Sequence, residues 1–149
     1  MSQHHVALQW QRESSDFTYQ SYNRDHRWVF DGGVEVPVSA SPGFLGNATC
    51  VDPEEAFIAS LASCHLLTFL AIAAKRRFVV NSYSDQPIGH LERDSDGHFS
   101  LTRVNLRPKI VFGGEQIPSP DQLQQMHEMA HRQCFIANSV KSQVIIETD

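Results

Sequence analysis

The sequence predicts an α+β fold. Two long helical segments each open on a cap-then-proline signature, and short alternating apolar stretches lie before, between and after them. No repeat and no internal linker interrupts the 149 residues, which are enough to bury a substantial core as one domain spanning 1–149.

The elements follow in order. Val6, Leu8 and Trp10 alternate with polar neighbours, as do Phe17 and Tyr19 beyond the turn-like Glu13-Ser14-Ser15-Asp16, so the two stretches predict a β-hairpin. Arg27 to Phe30 runs into Asp31-Gly32-Gly33, a good turn sequence, and Val34, Val36 and Val38 alternate as the next strand. Asp52-Pro53-Glu54-Glu55 then starts a helix: Asp52 caps, Pro53 suits the first helical position, and Glu55 completes a capping box. Phe57, Leu61, Cys64, Leu67 and Ala71 recur at helical steps, while Ile58, Leu66, Phe69, Leu70 and Ile72 widen the stripe, so this helix should be central. Lys75-Arg76-Arg77 closes it with charge suited to a helix C-terminus. Val79–Tyr83 and Ile88–Glu92 read as short strands, Asp94-Ser95-Asp96-Gly97 as a turn, and Phe99–Phe112 as one long strand with a bulge near Arg103. Ser119-Pro120-Asp121-Gln122 opens a second helix expected to reach about Val140, and Val144–Ile146 form a closing strand.

Composition excludes some classes of function. A formal charge of −5 argues against a nucleic-acid binder, and 41% apolar with 19% charged residues describes an ordinary soluble chain. The apolar run from Leu61 to Ala74 is interrupted by Ser63, His65 and Thr68, so no membrane span is expected. The first residues, MSQHHVALQWQRESSD, lack the apolar stretch of a secretory signal, which points to a cytoplasmic protein whose cysteines are thiols. Three cysteines also exclude a fully paired disulfide framework.

Three constellations compete for the chemistry. Cys64 on the first helix and Cys134 on the second form a disulfide if the helices pack together, or else simply fill the core. His127, His131 and Cys134 stand at i, i+4 and i+7, a spacing that can converge on zinc, with His65 as a conceivable fourth ligand; the plainer reading is a solvated histidine face. The third constellation is a charge pair for Cys64. A thiol among apolar side chains has its pKa raised, and lowering it by two units takes roughly 2.7 kcal/mol of preferential interaction with the thiolate. A guanidinium held by a carboxylate can supply that. Glu54 lies on the first turns of the Cys64 helix, and Arg24 and Arg27 flank the nearby strand; spacing does not choose between the two arginines.

The segment DPEEAFIASLASCH resembles the NPEE…A…AC segment of the OsmC/Ohr family, the osmotically inducible and organic hydroperoxide resistance proteins. AHRQCFIAN resembles that family's second-cysteine segment, and Asn23-Arg24-Asp25-His26-Arg27 resembles the RDGR stretch of its hydroperoxide resistance branch. The likeness implies an OsmC-like fold, with strongly curved antiparallel sheets around two central helices, and an intertwined homodimer with active sites at the subunit interface. It implies thiol peroxidase activity on organic hydroperoxides, with Cys64 as peroxidatic and Cys134 as resolving cysteine. Arg24 is then the best match to the family's arginine, and Glu54 to the carboxylate that orients it. A small apolar hydroperoxide and a dithiol reductant of the lipoyl type are the implied partners, with no cofactor, metal, nucleic acid or membrane. A non-enzymatic thiol sensor or apolar-ligand binder is the alternative on the same fold. The chain departs from the family pattern at Phe135, where a proline is usual, and at His65, where an apolar or aromatic residue is common; Cys50 matches no family position.

Overall fold

The computed structural model describes residues 1–148. The chain forms two compact units, Met1–Ala56 and Phe57–Asp149.

In the N-terminal unit, β1 (Val6–Gln9), β2 (His26–Phe30) and β3 (Glu35–Val38) form an antiparallel sheet in that order. The expected β2–β3 hairpin is present, and Gly33 takes φ 83° in its turn, a conformation that suits glycine. The expected first hairpin is not. β1 pairs with β2, Val6 opposite Phe30 and Gln9 opposite Arg27, whereas Phe17 and Tyr19 lie outside any strand. Their alternation serves a different packing: the rings of Phe17 and Tyr22 lie 5.2 Å apart and those of Tyr19 and Tyr22 6.5 Å apart, in an aromatic cluster that surrounds Arg24. A 3₁₀ turn, Pro42–Phe44, then leads back so that Val51 bridges Val38. In this return Gly46 passes so close to the Ala40 carbonyl that any side chain there would collide with it.

Helix α1 (Pro53–Lys75) starts where the sequence places it. The Glu55 N–H donates to Asp52 Oδ1 at 2.8 Å and the Asp52 N–H to Glu55 Oε2 at 3.2 Å, the reciprocal bonds of a capping box. It ends with Phe78 N–H on the Ala73 carbonyl and Arg77 N–H on Ala74, with Arg77 left-handed at φ 64°. By length and composition α1 is apolar enough to cross a membrane, contrary to the expectation from Ser63, His65 and Thr68. Thr68 is accommodated within the helix, its hydroxyl donating to the Cys64 carbonyl, and His65 bonds to His127 of the second helical segment. Core helices meet the same criterion, and in α1 Leu61, His65, Phe69, Ile72 and Ala73 are buried.

In the C-terminal unit, β4 (Val79–Ser84) pairs with β7 (Lys109–Gly113), and β6 (Phe99–Leu106) lies between antiparallel β5 (Ile88–Arg93) and parallel β8 (Gln143–Ile146). The expected single strand Phe99–Phe112 is therefore two strands. Pro108, which cannot donate to a ladder, separates them. The expected bulge is present, because His90 opposes Arg103 while Leu91 opposes Leu101, leaving Thr102 as the extra residue. Helix α2 (Pro120–Gln133) opens on a capping box between Ser119 and Gln122. It stops at Cys134, well before Val140, and a 3₁₀ turn at Ala137–Ser139 follows.

Two clusters make the core of this unit. Phe69, Ile72 and Ala73 of α1 pack with Met126 and Ala130 of α2 and with side chains of β4 and β7. Leu61 packs with Val104 and Leu106 of β6 and with Val144 and Ile146 of β8. Helix α1 is thus central here, as its pattern predicts. One stripe remains outside: Ser60, Ser63, Leu67, Ala71 and Ala74 are exposed, Leu67 at 63%.

Candidate active site

Cys64 sits half-buried in the middle of α1, and Cys134 is buried at the residue that ends α2. All three cysteines are free thiols. The two helices bring the Cys64 and Cys134 side chains close enough for each thiol to shift the other's titration. The end of α2 supplies more donors. The chain turns extended at Cys134, with ψ 113°, and returns to helical angles at Ile136, which directs successive backbone N–H groups back toward the sulfurs. The Ala137 N–H donates to Cys134 Sγ at 3.4 Å, and the N–H groups of Ile136 and Phe135 act to lower the Cys64 pKa.

These contacts set the two thiols apart. Burial is the largest single effect on Cys64 and raises its pKa, but Cys134, the Ile136 and Phe135 N–H groups and the Thr68 hydroxyl together bring it below the usual thiol value. Burial pushes Cys134 up to about 11, and its bond to Cys64 adds to the rise. Of the two thiols, Cys64 is therefore the one that gives up its proton more readily. The Thr68 hydroxyl is 2.8 Å from the Cys64 carbonyl and also within reach of the sulfur. Its one hydrogen serves the carbonyl beside a thiol and can turn to the sulfur beside a thiolate.

The other expected site residues lie in the N-terminal unit or at the start of α1. Arg24 is buried, 9% exposed. Its guanidinium donates to the carbonyls of Tyr19 and Tyr22 and lies over the Tyr22 ring, 3.7 Å from the centroid. Glu54 is half-buried on the first turn of α1, and among the described residues it forms no ion pair, so the expected Arg24–Glu54 pair is not made within this unit. Arg27 is exposed and bonded to Glu35 at 3.2 Å and Gln9 at 3.1 Å, an arrangement that holds it on the sheet surface. Of the two arginines, Arg24 is the buried one.

The histidines are not a solvated face. His65 and His127 are 1% and 3% exposed and bond to each other at 3.0 Å. Zinc ligation by His127, His131 and Cys134 is not assembled, because His127 Nδ1 is engaged with His65 and Cys134 Sγ with Cys64 and Ala137. Asp94, Asp96 and His98 also lie close together, but Asp94 Oδ1 already accepts the N–H groups of Asp96 and His98, which accounts for the cluster as a turn. Sequence reasoning missed Thr68 and the Phe135 and Ile136 N–H groups. A hydroxyl one helical turn after Cys64, and a residue with an N–H where the resembled family has proline, were the available signals.

A family model described as OsmC-like protein matches residues 46–149. An OsmC-like protein of unknown function from Vibrio cholerae is similar over 100% of both chains, with 48% identity and a TM-score of 0.96. An organic hydroperoxide resistance protein from Elizabethkingia anophelis is 18% identical over 99% of this chain and 94% of its own, with a TM-score of 0.72. The organic hydroperoxide resistance protein OhrB of Bacillus subtilis is 18% identical over 99% and 98%, with a TM-score of 0.69. At those two identities the likeness is one of fold. Among curated proteins none matches the chain.

Proposed function

The chain belongs to the OsmC-like family, and from that premise we propose that it is a cysteine-based peroxidase that reduces organic hydroperoxides to alcohols. One observation carries the reading: two thiols close enough to shift each other's titration, of which Cys64 gives up its proton more readily than Cys134. The Cys64 sulfur attacks the distal oxygen of ROOH, the O–O bond breaks, and the alkoxide leaves as ROH after taking up a proton. Cys64 becomes a sulfenic acid. Cys134, deprotonated as it attacks, forms the S–S bond and displaces hydroxide, which leaves as water. A dithiol reduces the disulfide and is itself oxidised, so ROOH and a dithiol give ROH, water and a cyclic disulfide. The exposed Leu67, three residues beyond Cys64, favours alkyl or fatty hydroperoxides over hydrogen peroxide.

Arg24 is the counter-charge for the thiolate in this reading, and Glu54 the carboxylate that aims it. The guanidinium has five N–H donors, and the two carbonyls it meets leave others free. The active protein is an intertwined homodimer in the cytoplasm, with the active site at the subunit interface. The apolar surface that one chain leaves open, Leu67 on α1 and Leu8, Phe17 and Val34 in the N-terminal unit, supports association of two copies. A peroxidase assay with dihydrolipoamide as electron donor tests the function. Cumene hydroperoxide should be consumed over many turnovers and faster than hydrogen peroxide. Consumption that stops after one equivalent would mark a sensor instead.

A further inference from the structure

His65 and His127 meet in the core between α1 and α2, and the geometry of their contact is specific. The rings are parallel to within 6° and their centroids are 5.3 Å apart, while His65 Nε2 and His127 Nδ1 are only 3.0 Å apart. That difference is accounted for by the two ring radii, so the imidazoles lie edge to edge in one plane and share an in-line N–H···N hydrogen bond. Phe69 lies against His127, with centroids 4.5 Å apart. Among the described residues His65 Nδ1 is buried without a partner, which fits a lone pair better than a stranded N–H. This fixes the tautomers: His65 is protonated on Nε2 and donates to His127 Nδ1.

We propose that His65 and His127 are positioning residues for the Cys64–Cys134 pair, joining the same two helices by a directional bond so that the two sulfurs meet in register. The proposal rests on the dithiol reading of the site. The surrounding contacts of Phe69, Ile72, Ala73, Met126 and Ala130 are apolar and tolerate small slips and rotations. A hydrogen bond between buried rings does not, because any slip leaves both unpaired. His65 follows Cys64 directly, so the helix that carries the bond carries the nucleophile with it. Burial keeps both rings neutral, each with a pKa lowered to about 4, so the bond is intact near neutral pH.

The test is the reduction potential of the Cys64–Cys134 couple in dithiothreitol buffers, with no hydroperoxide present. His65→Leu and His127→Leu should each lower the effective concentration of one thiol at the other about tenfold, which raises the potential by about 30 mV. His65→Gln places an amide N–H where Nε2 was, and His127→Asn places an oxygen where Nδ1 was; both should stay within about 10 mV of the parent. Folded leucine variants with the parent potential, or glutamine and asparagine variants shifted as far as leucine, overturn the proposal. If the leucine variants do not fold, the imidazole N–H resonance of the ¹⁵N-histidine protein decides. Coupling is reciprocal, so the resonance should move between dithiol and disulfide forms, and a fixed resonance overturns the proposal. A protein that consumes no hydroperoxide but follows this potential series loses the peroxidase reading and keeps this one; active turnover with a flat series does the reverse.

Discussion

Cys50 and Cys64 are both half-buried thiols, one in each unit, and their surroundings differ in kind. Cys50 lines a cavity of about 440 Å³ with Trp10, Asp25, His26 and Arg27, and among the described residues its thiol has no hydrogen-bond partner, while its backbone N–H donates to the Asn47 carbonyl. Around Cys64 a thiol, a hydroxyl and two backbone N–H groups converge on the sulfur. Exposure alone would not tell these cysteines apart. The donors do, because only a sulfur with donors aimed at it gains more as an anion than it loses by burial.

The largest effect that this contrast predicts is on turnover. Cys64→Ser should lower hydroperoxide consumption by about 10³-fold or more, while Cys50→Ser leaves it near the parent value. The reverse order would move the site to the N-terminal unit.

Acid should act next, and on stability. His65 and His127 are held near pKa 4 in the folded chain against 6.5 unfolded. The unfolded state binds more protons between those values, so stability is full above about pH 6.5 and falls as the pH drops toward 4. At 1.36 kcal/mol per pKa unit the loss reaches at most about 3 kcal/mol per imidazole. Denaturant midpoints measured from pH 7 to pH 4 check this, and a His65→Leu/His127→Leu double variant should flatten the slope.

Arg24→Met should raise the Cys64 pKa by about one unit, roughly a tenfold loss of thiolate at neutral pH. Glu54→Gln should change the pKa less and the rate more, through misplaced Arg24. Alkylation rates against pH read the first effect, and an unchanged Arg24→Met profile removes Arg24 from the site. The smallest change concerns the donors that distinguish Cys64. Phe135→Pro deletes one N–H, and the alkylation midpoint should rise by about half a unit. No rise would mean that Ile136, Thr68 and Cys134 suffice.

Much of the scaffold was legible because its signals are local. The start of α1 is written in Asp52, Pro53 and Glu55, and that of α2 in Ser119 and Gln122, within four residues each. The end of α2 was not legible, since Ile136 and Val140 continue the apolar spacing after the backbone has turned at Cys134. The first hairpin failed for a related reason: Phe17 and Tyr19 alternate like a strand but belong to the aromatic cluster at Arg24. At the site, the cysteines could be picked out by helix position and resemblance, whereas their donors could not, because Phe135 and Ile136 act through backbone groups that every residue type except proline carries. The His65–His127 bond joins residues 62 apart and leaves no periodic trace.

The most direct measurement is peptide mapping of the protein after one equivalent of cumene hydroperoxide, with thiols blocked before digestion. The account predicts a Cys64–Cys134 disulfide with Cys50 alkylated. A disulfide that includes Cys50, or a Cys64 oxidised with Cys134 still a free thiol, would contradict it.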